Sequence, residues 1–327
     1  MRDLPTIADV LAARQRLGDL VSLTPLIENA ALNAIAGGRV LLKAENLQRI
    51  GAFKFRGAYN KIAQLDRNTY PGGVVACSSG NHAQGVAAAA TLRGLRSAVV
   101  MPTDAPRLKI ERTKAFGSEV VPYDRAKEDR EAIARALCEA RGAAYVHPFD
   151  DPDVIAGQGT VGLEMMEQAE AMGATPDVVL AGASGGGLLS GIAIAVKHKN
   201  PRAEVYSVEP AGFDDFARSL KGGRRERNAA ATGSICDSLL AAMPGELTFE
   251  IAMRDVAGGL TVSDEEARAA VRFAFRELKL VVEPGGAVSL AAILARKIPM
   301  EGRTVAAVLS GGNVDPALFA EIIQDKH

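Results

Sequence analysis

The stretch DVVLAGASGGGLLSG, residues 177–191, decides the fold. Its apolar, Val-rich start predicts a buried strand, its consecutive glycines a tight turn, and its continuation the first turns of a helix. Working outward, short Val-rich runs recur at 40–44, 73–77, 97–101, 119–123, 143–146, 204–208 and 304–309. Helical patterns lie at 6–21, 82–92, 126–141 and 264–278. Buried strands alternating with helices predict right-handed βαβ crossovers and mostly parallel sheets, an α/β fold. Ligands in such folds collect at the carboxyl ends of strands, so the loops that follow the apolar runs are the places to search.

Composition narrows the function. At roughly 150 residues per domain, 327 residues make about two domains. No repeat or low-complexity linker separates them, so they must be interleaved or tightly joined. Lys and Arg total 38 against 39 Asp and Glu, a net charge of −1, which gives no overall field for a polyanion; nucleic acid is not an expected partner. Apolar runs such as 98–102 are far short of a membrane span, and residues 1–20 have no continuous apolar core of a signal peptide. Cys77, Cys138 and Cys236 are odd in number and widely spaced, unlike a disulfide framework. The expected compartment is the reducing cytoplasm. The 33 glycines have no collagen-like period and point to tight turns and close backbone approaches.

Four loops carry chemistry. In GAFKFRGAYNK, 51–61, Lys54 stands between Phe53 and Phe55. A lysine held among apolar side chains loses hydration and presents the free amine needed for a Schiff base, although a surface lysine beside two core phenylalanines would read the same way. Ser78, Ser79, Gly80, Asn81 and His82 precede a helix and offer donors suited to a carboxylate, or simply a helix cap. Ser184, Gly185, Gly186, Gly187 and Leu188 let successive backbone N–H groups converge on a phosphate at a helix start. That loop is neither a Walker sequence nor a G-x-G-x-x-G fingerprint. Ser310, in Leu-Ser-Gly-Gly-Asn 309–313, can donate to or accept from a heteroaromatic nitrogen, whereas a carboxylate there would enforce protonation.

Together these parts suit pyridoxal phosphate and an amino acid, and from about Pro5 to Asn313 the chain resembles the fold type II pyridoxal-phosphate enzymes, specifically the threonine/serine dehydratase (threonine ammonia-lyase) and serine racemase family. GAFKFRGA, SSGNHAQG and VVEPGGA (281–287) match the family's lysine, substrate and Glu-containing loops. The resemblance implies two three-layer α/β/α domains with mostly parallel twisted sheets, like the tryptophan synthase β-subunit. It assigns 1–50 plus 148–327 to a large cofactor-binding domain and 51–147 to a small domain that closes on substrate. It makes Lys54 the Schiff-base lysine, packs Phe53 on the pyridine ring, directs Asn81 to the 3′-oxygen, gives the phosphate to residues 184–188, and sets Ser310 opposite the ring nitrogen. Ser78, Ser79, Asn81 and His82 would surround the substrate carboxylate, with Ser79 a catalytic acid/base on the face opposite Lys54; Glu283 is expected near the cofactor.

The resemblance also implies that Glu209, Phe213 and Asp215 supply two carboxylates and a backbone carbonyl to Mg²⁺ or Ca²⁺; a solvated acidic helix start is the other reading. Two departures stand out. Ser184 replaces the first of four glycines common in relatives, and Cys236-Asp237-Ser238 stands where Ala-Asp-Gly is common. The expected activity is β-elimination from a β-hydroxy amino acid, L-threonine or L-serine by default, to a 2-oxo acid and ammonia. Alternatives are serine racemisation, dehydration of 3-hydroxyaspartate, 3-phenylserine or an ectoine-derived substrate, and a non-catalytic phosphate-ligand-binding protein. A homodimer is expected by similarity. Only 14 residues follow Asn313, so a stand-alone catalytic unit is expected.

Overall fold

The computed structural model describes residues 4–78, 80–105, 107–124 and 127–324, without the side chain of Leu108. Among them are the strands β1 (Leu26–Glu28), β2 (Arg39–Ala44), β3 (Val74–Cys77), β4 (Ser97–Pro102), β5 (Glu119–Tyr123), β6 (Ala144–Tyr145), β7 (Val178–Gly182), β8 (Glu204–Pro210), β9 (Gly258–Val262) and β10 (Thr304–Leu309). One sheet has the order β1-β2-β10-β7-β8-β9 and the other β5-β4-β3-β6. All pairings are parallel except β1 with β2. The α/β expectation holds. No helix among the described residues is long and apolar enough to cross a membrane.

The period-2 alternation of a strand explains how the larger sheet is covered on both sides. Leu42, Leu180, Val305 and Ala307 pack with Val288, Leu290 and Ala291 of the helix Pro284–Leu294. Their neighbours Leu41, Val179, Ala306 and Val308 pack on the other face with Leu189 and Ile192 of Gly187–Lys199 and with Val161 and Met165 of Pro152–Ala171.

Several local expectations change. Residues 51–61 are not simply a loop: the helix Lys54–Ile62 begins at the lysine, because Phe55, Ala58, Tyr59 and Ile62 repeat at helical spacing and are all buried. Residues 264–278 divide into an α-helix, Asp264–Phe273, and a π-turn, Ala274–Leu278, that ends at Lys279 with φ 59°. The helix expected at 126–141 starts only at Arg130, where Asp129 accepts hydrogen bonds from the Glu131 and Ala132 N–H groups. Strands β1 and β9 gave no apolar signal, β1 being three residues long and β9 opening on two glycines.

A buried ion cluster ties these elements together. Arg56 donates to Glu45 from Nε and Nη2, and to Glu164 from Nη1 and Nη2, at 2.7–2.8 Å. Lys43 of β2 donates to Glu164 at 2.8 Å and to the Thr24 carbonyl at 2.7 Å. Two cations thus face two carboxylates, which pays the desolvation cost of each.

Strands β2, β10 and β7 are parallel neighbours, so their carboxyl ends share one edge. Residues 45–54, Ser310 and residues 183–187 continue from that edge, and residues 78–82 follow β3 of the smaller sheet. The chemistry-bearing loops therefore converge.

Candidate functional site

The cleft at this convergence is lined by Phe53, Lys54, Ser78, Gly80, Asn81, His82, Ser184, Gly185, Gly186, Gly187, Leu188, Glu283 and Ser310. Every described residue expected to hold cofactor or substrate is among them. Ser79 lies outside the described residues.

Lys54 opens its helix, with Nζ 5.2 Å from the Phe53 ring centre and donating to the Pro148 carbonyl at 2.7 Å. Burial of the amine pulls its pKa down to about 8, with no carboxylate to raise it again. Phe55, which the sequence placed beside the lysine, does not line the cleft and is fully buried in the core with Ala58, Tyr59 and Ile62.

The glycine loop has no room for side chains. A Cβ on Gly185 would stand 2.3 Å from the Phe149 ring, one on Gly187 3.0 Å from the Phe149 backbone, and one on Gly186 2.4 Å from Phe216. Gly186 also needs φ 94°, which strains any other residue. The helix Gly187–Lys199 begins at once, so unpaired backbone N–H groups and the positive end of the helix dipole meet at a surface of bare backbone. That cradle fits a phosphate. Ser184 accepts the Ala241 N–H at 3.0 Å, which fixes the loop against residues 239–241, and its hydroxyl proton stays available.

Residues 78–82 are not a simple cap. Ser78 Oγ accepts the Gly80 N–H at 3.1 Å, while the helix Asn81–Leu92 has no side-chain cap at Gly80. Its first N–H groups thus face the cleft, a setting for a carboxylate. His82 is buried, and its Nε2 stands 3.0 Å from the Val146 carbonyl. A carbonyl only accepts, so Nε2 carries the proton and donates; burial, then the nearby Lys54 cation, push the ring pKa down to about 3. His82 is a neutral residue bonded to the backbone.

Asn81 donates from Nδ2 to Glu283 Oε1 at 2.5 Å. Glu283 is buried, its Oε2 has no partner among the described residues, and burial raises its pKa to about 7 against the opposing pull of Lys109. Ser310 lines the cleft at the end of β10, with its backbone pinned between the Phe53 N–H and the Gly286 carbonyl. Ser238 also lines the cleft; its hydroxyl packs on Gly285, where a Cβ would meet it at 2.1 Å.

Residue types alone did not reveal Lys109, Arg130, Pro148 or Asp237, which line the same cleft. Lys109 makes an ion pair with Asp237 across its mouth. Pro148 contributes a backbone carbonyl, which no side-chain pattern encodes. The proposed cation ligands lie elsewhere. Both Glu209 oxygens accept backbone N–H groups, from Phe216 and Ala217, at 2.8 Å. Asp215 Oδ1 accepts from Asn228 at 2.6 Å, while its Oδ2 is buried and unpartnered among the described residues. Burial raises Glu209 well above the usual carboxylate range and Asp215 to about 6. No group of three or more His, Cys, Asp or Glu side chains suited to a metal occurs among the described residues.

A desolvated lysine, a side-chain-free phosphate cradle and a serine that lines the same cleft from a third strand end fit pyridoxal phosphate. Comparison with known proteins agrees. An L-threonine ammonia-lyase of Thermotoga maritima is 41% identical over 97% of this chain and 78% of its own. An L-threo-3-hydroxyaspartate ammonia-lyase of a Pseudomonas species is 40% identical over 98% of this chain and 99% of its own. The structure of maize serine racemase superposes with a TM-score of 0.92 at 35% identity, covering 98% of both chains. Residues 18–311, which hold every part of the cleft, match the model of one family. The chain belongs to the pyridoxal-phosphate dependent enzymes.

Proposed function

We propose that the chain is an ammonia-lyase that removes water from a β-hydroxy amino acid, with L-threonine or L-serine as the default substrate. One observation carries the reading: the amine with the lowered pKa opens into the same cleft as the phosphate cradle. Pyridoxal phosphate, bound through Lys54, would supply an electron sink that makes the α-proton of the substrate acidic. The chain's residues supply the rest. Gly185, Gly186 and Gly187 would hold the phosphate through backbone N–H groups. The first turn of Asn81–Leu92, with Ser78, holds the carboxylate, and Lys54, once released, takes the α-proton as a free base. Ser310 would meet the ring nitrogen with a hydroxyl, which does not enforce the protonation that a carboxylate would. The β-hydroxyl would leave with a proton as water, so that the proton taken by Lys54 and the hydroxyl balance as one water lost, and the enamine left behind would take up one water to give the 2-oxo acid and ammonia.

The likeness to maize serine racemase supports a second reading, racemisation, with Ser79 as the acid/base opposite Lys54. The Pseudomonas relative supports 3-hydroxyaspartate as a third substrate to test. A panel of β-hydroxy amino acids, assayed for 2-oxo acid and for the D-enantiomer, separates these. Inversion without 2-oxo acid release would refute the lyase reading. The reading keeps Glu209, Asp215 and the Phe213 carbonyl as a candidate site for a hard divalent ion, Mg²⁺ or Ca²⁺, in which Asp215 Oδ2, without a partner among the described residues, would be the ligand. The reading further takes 51–147 as the unit that closes on 1–50 plus 148–327, and a cytoplasmic homodimer as the working form; light scattering that returned a monomer mass would refute the last.

A further inference from the structure

Four polar side chains form a line from the cleft to the helix Arg107–Ala115. Arg112 Nη1 donates to Asn313 Oδ1 at 2.7 Å. Asn313 Nδ2 donates to Asn81 Oδ1 and to the Ile50 carbonyl, both at 2.8 Å. Asn81 Nδ2 donates to Glu283 Oε1 at 2.5 Å. Every bond between these side chains points the same way, and the Arg112 end dictates that direction. A guanidinium only donates, so Asn313 must turn its oxygen to Arg112 and its nitrogen to the Asn81 oxygen, which leaves the Asn81 nitrogen for Glu283. The two carboxamides between them are thereby oriented. Turning either one over would set nitrogen against nitrogen, at Arg112 or at Asn313.

The backbone is shaped around this line. A Cβ on Gly311 would lie 2.3 Å from Glu283 Oε1 and 3.1 Å from Asn81 Nδ2, and one on Gly51 2.8 Å from Asn313 Oδ1. Gly51 has φ 74° as well. Two bare glycines therefore leave the space in which the amides sit.

We propose that Arg112 and Asn313 are positioning residues for Asn81. They hold its carboxamide with Oδ1 toward Asn313 and Nδ2 toward Glu283, which reserves the second Nδ2 hydrogen for an oxygen on the bound cofactor. The inference rests on the reading of the cleft as a pyridoxal-phosphate site. Arg112 lies on the exposed side of its helix, in the segment that carries the smaller sheet, whereas Asn313 and Glu283 belong to chain beyond β9. The orientation of Asn81 thus depends on a contact between the two parts of the chain.

The test uses the holoenzyme and three variants, Arg112→Met, Arg112→Lys and Asn313→Asp, with visible spectra, cofactor dissociation and thermal melts of the apoproteins. Met removes the donor at the end of the line, Lys restores one, and Asp keeps the shape of Asn313 but removes its donors. If Asn81 loses its fixed orientation, a ring oxygen deprived of its N–H partner keeps its proton more, and the shorter-wavelength cofactor band gains at the expense of the longer. The expected result for Arg112→Met and Asn313→Asp is that change, with cofactor dissociation raised roughly 2- to 10-fold, the size of one hydrogen bond. Arg112→Lys should return toward wild type, and the Arg112→Met apoprotein should melt as wild type does. Wild-type spectra and dissociation in Arg112→Met, with or without a lower melting temperature, would overturn the positioning role alone. No visible band in wild-type protein saturated with pyridoxal phosphate would overturn the cofactor reading and the inference with it.

Discussion

Burial of Lys54 makes a quantitative prediction about cofactor capture. The free amine is the reactive form, and its pKa is about 8 in place of 10.5. At pH 7 an ordinary lysine would be neutral in roughly 3 molecules per 10,000 and this one in about 1 in 10, a gain of roughly 300-fold. The perturbation is a pH series from 6 to 10 on apoprotein mixed with pyridoxal phosphate at fixed concentration, with the growth of visible absorbance as the readout. The rate should rise about tenfold per pH unit below 8 and level off above it. A rate still climbing tenfold per unit between pH 9 and 10 would show an ordinary, hydrated amine and refute the burial argument. The same shift has a stability consequence of fixed sign. Between pH 8 and 10.5 the unfolded chain still holds the proton that the folded apoprotein has released, so this group adds stability as pH rises through that window and nothing further above it.

Other expectations follow from the same geometry. Arg56→Ala leaves Glu45 and Glu164 buried against Lys43 alone and should cost about 3–5 kcal/mol, read as a lower denaturant midpoint; a change below about 1 kcal/mol would place the cluster in contact with water. Gly186→Ala forces a side chain into φ 94° and within 2.4 Å of Phe216, so the purified variant should lose cofactor on gel filtration while wild type keeps it. Asp215 keeps its proton to about pH 6, well above the ordinary Asp value of 3.8, because burial penalises its charge, so its stabilising contribution is present below that window and declines as pH rises through it. At pH 8, above the Asp215 value, the site should take up Mg²⁺ with a rise in melting temperature; calorimetry of chelator-treated protein showing no heat at pH 8 would remove the cation site.

The fold was legible wherever apolar runs stood between turn residues, and hence for β2, β3, β4, β5, β6, β7, β8 and β10. It was not legible for β9, where Gly258 and Gly259 interrupt the pattern because Gly259 packs against Ala217, which a Cβ would approach to 2.4 Å. The site divides along the same line. Lys54, Asn81, the glycine loop and Ser310 were readable because each follows a strand end and parallel strands bring those ends to one edge. The Pro148 carbonyl and the Lys109–Asp237 pair were not, since a backbone atom has no letter of its own and a charge on an amphipathic helix looks like any solvated one. His82 was legible as a polar group at a helix start, yet only the packing shows its proton committed to the Val146 carbonyl.

One helix connects these two kinds of information. Lys54 and Arg56 are two residues apart, which at 3.6 residues per turn sets them about 200° apart around the axis. Lys54 therefore reaches the cleft, and Arg56 turns away into the buried cluster with Glu45 and Glu164. A rotation of the helix that withdrew the amine from the cleft would also pull the guanidinium from two carboxylates that have no solvent to replace it. The ion cluster touches nothing in the cleft, but it fixes the face that the helix presents. GAFKFRGA can therefore be read as one device: a lysine to react, Phe53 beside it in the cleft, Phe55 to anchor the helix in the core, and an arginine to hold the helix in register. Its final Gly57 lets the helix Pro152–Ala171, which carries Glu164, approach close enough to meet that arginine, since a Cβ there would stand 2.7 Å from the Val154 carbonyl.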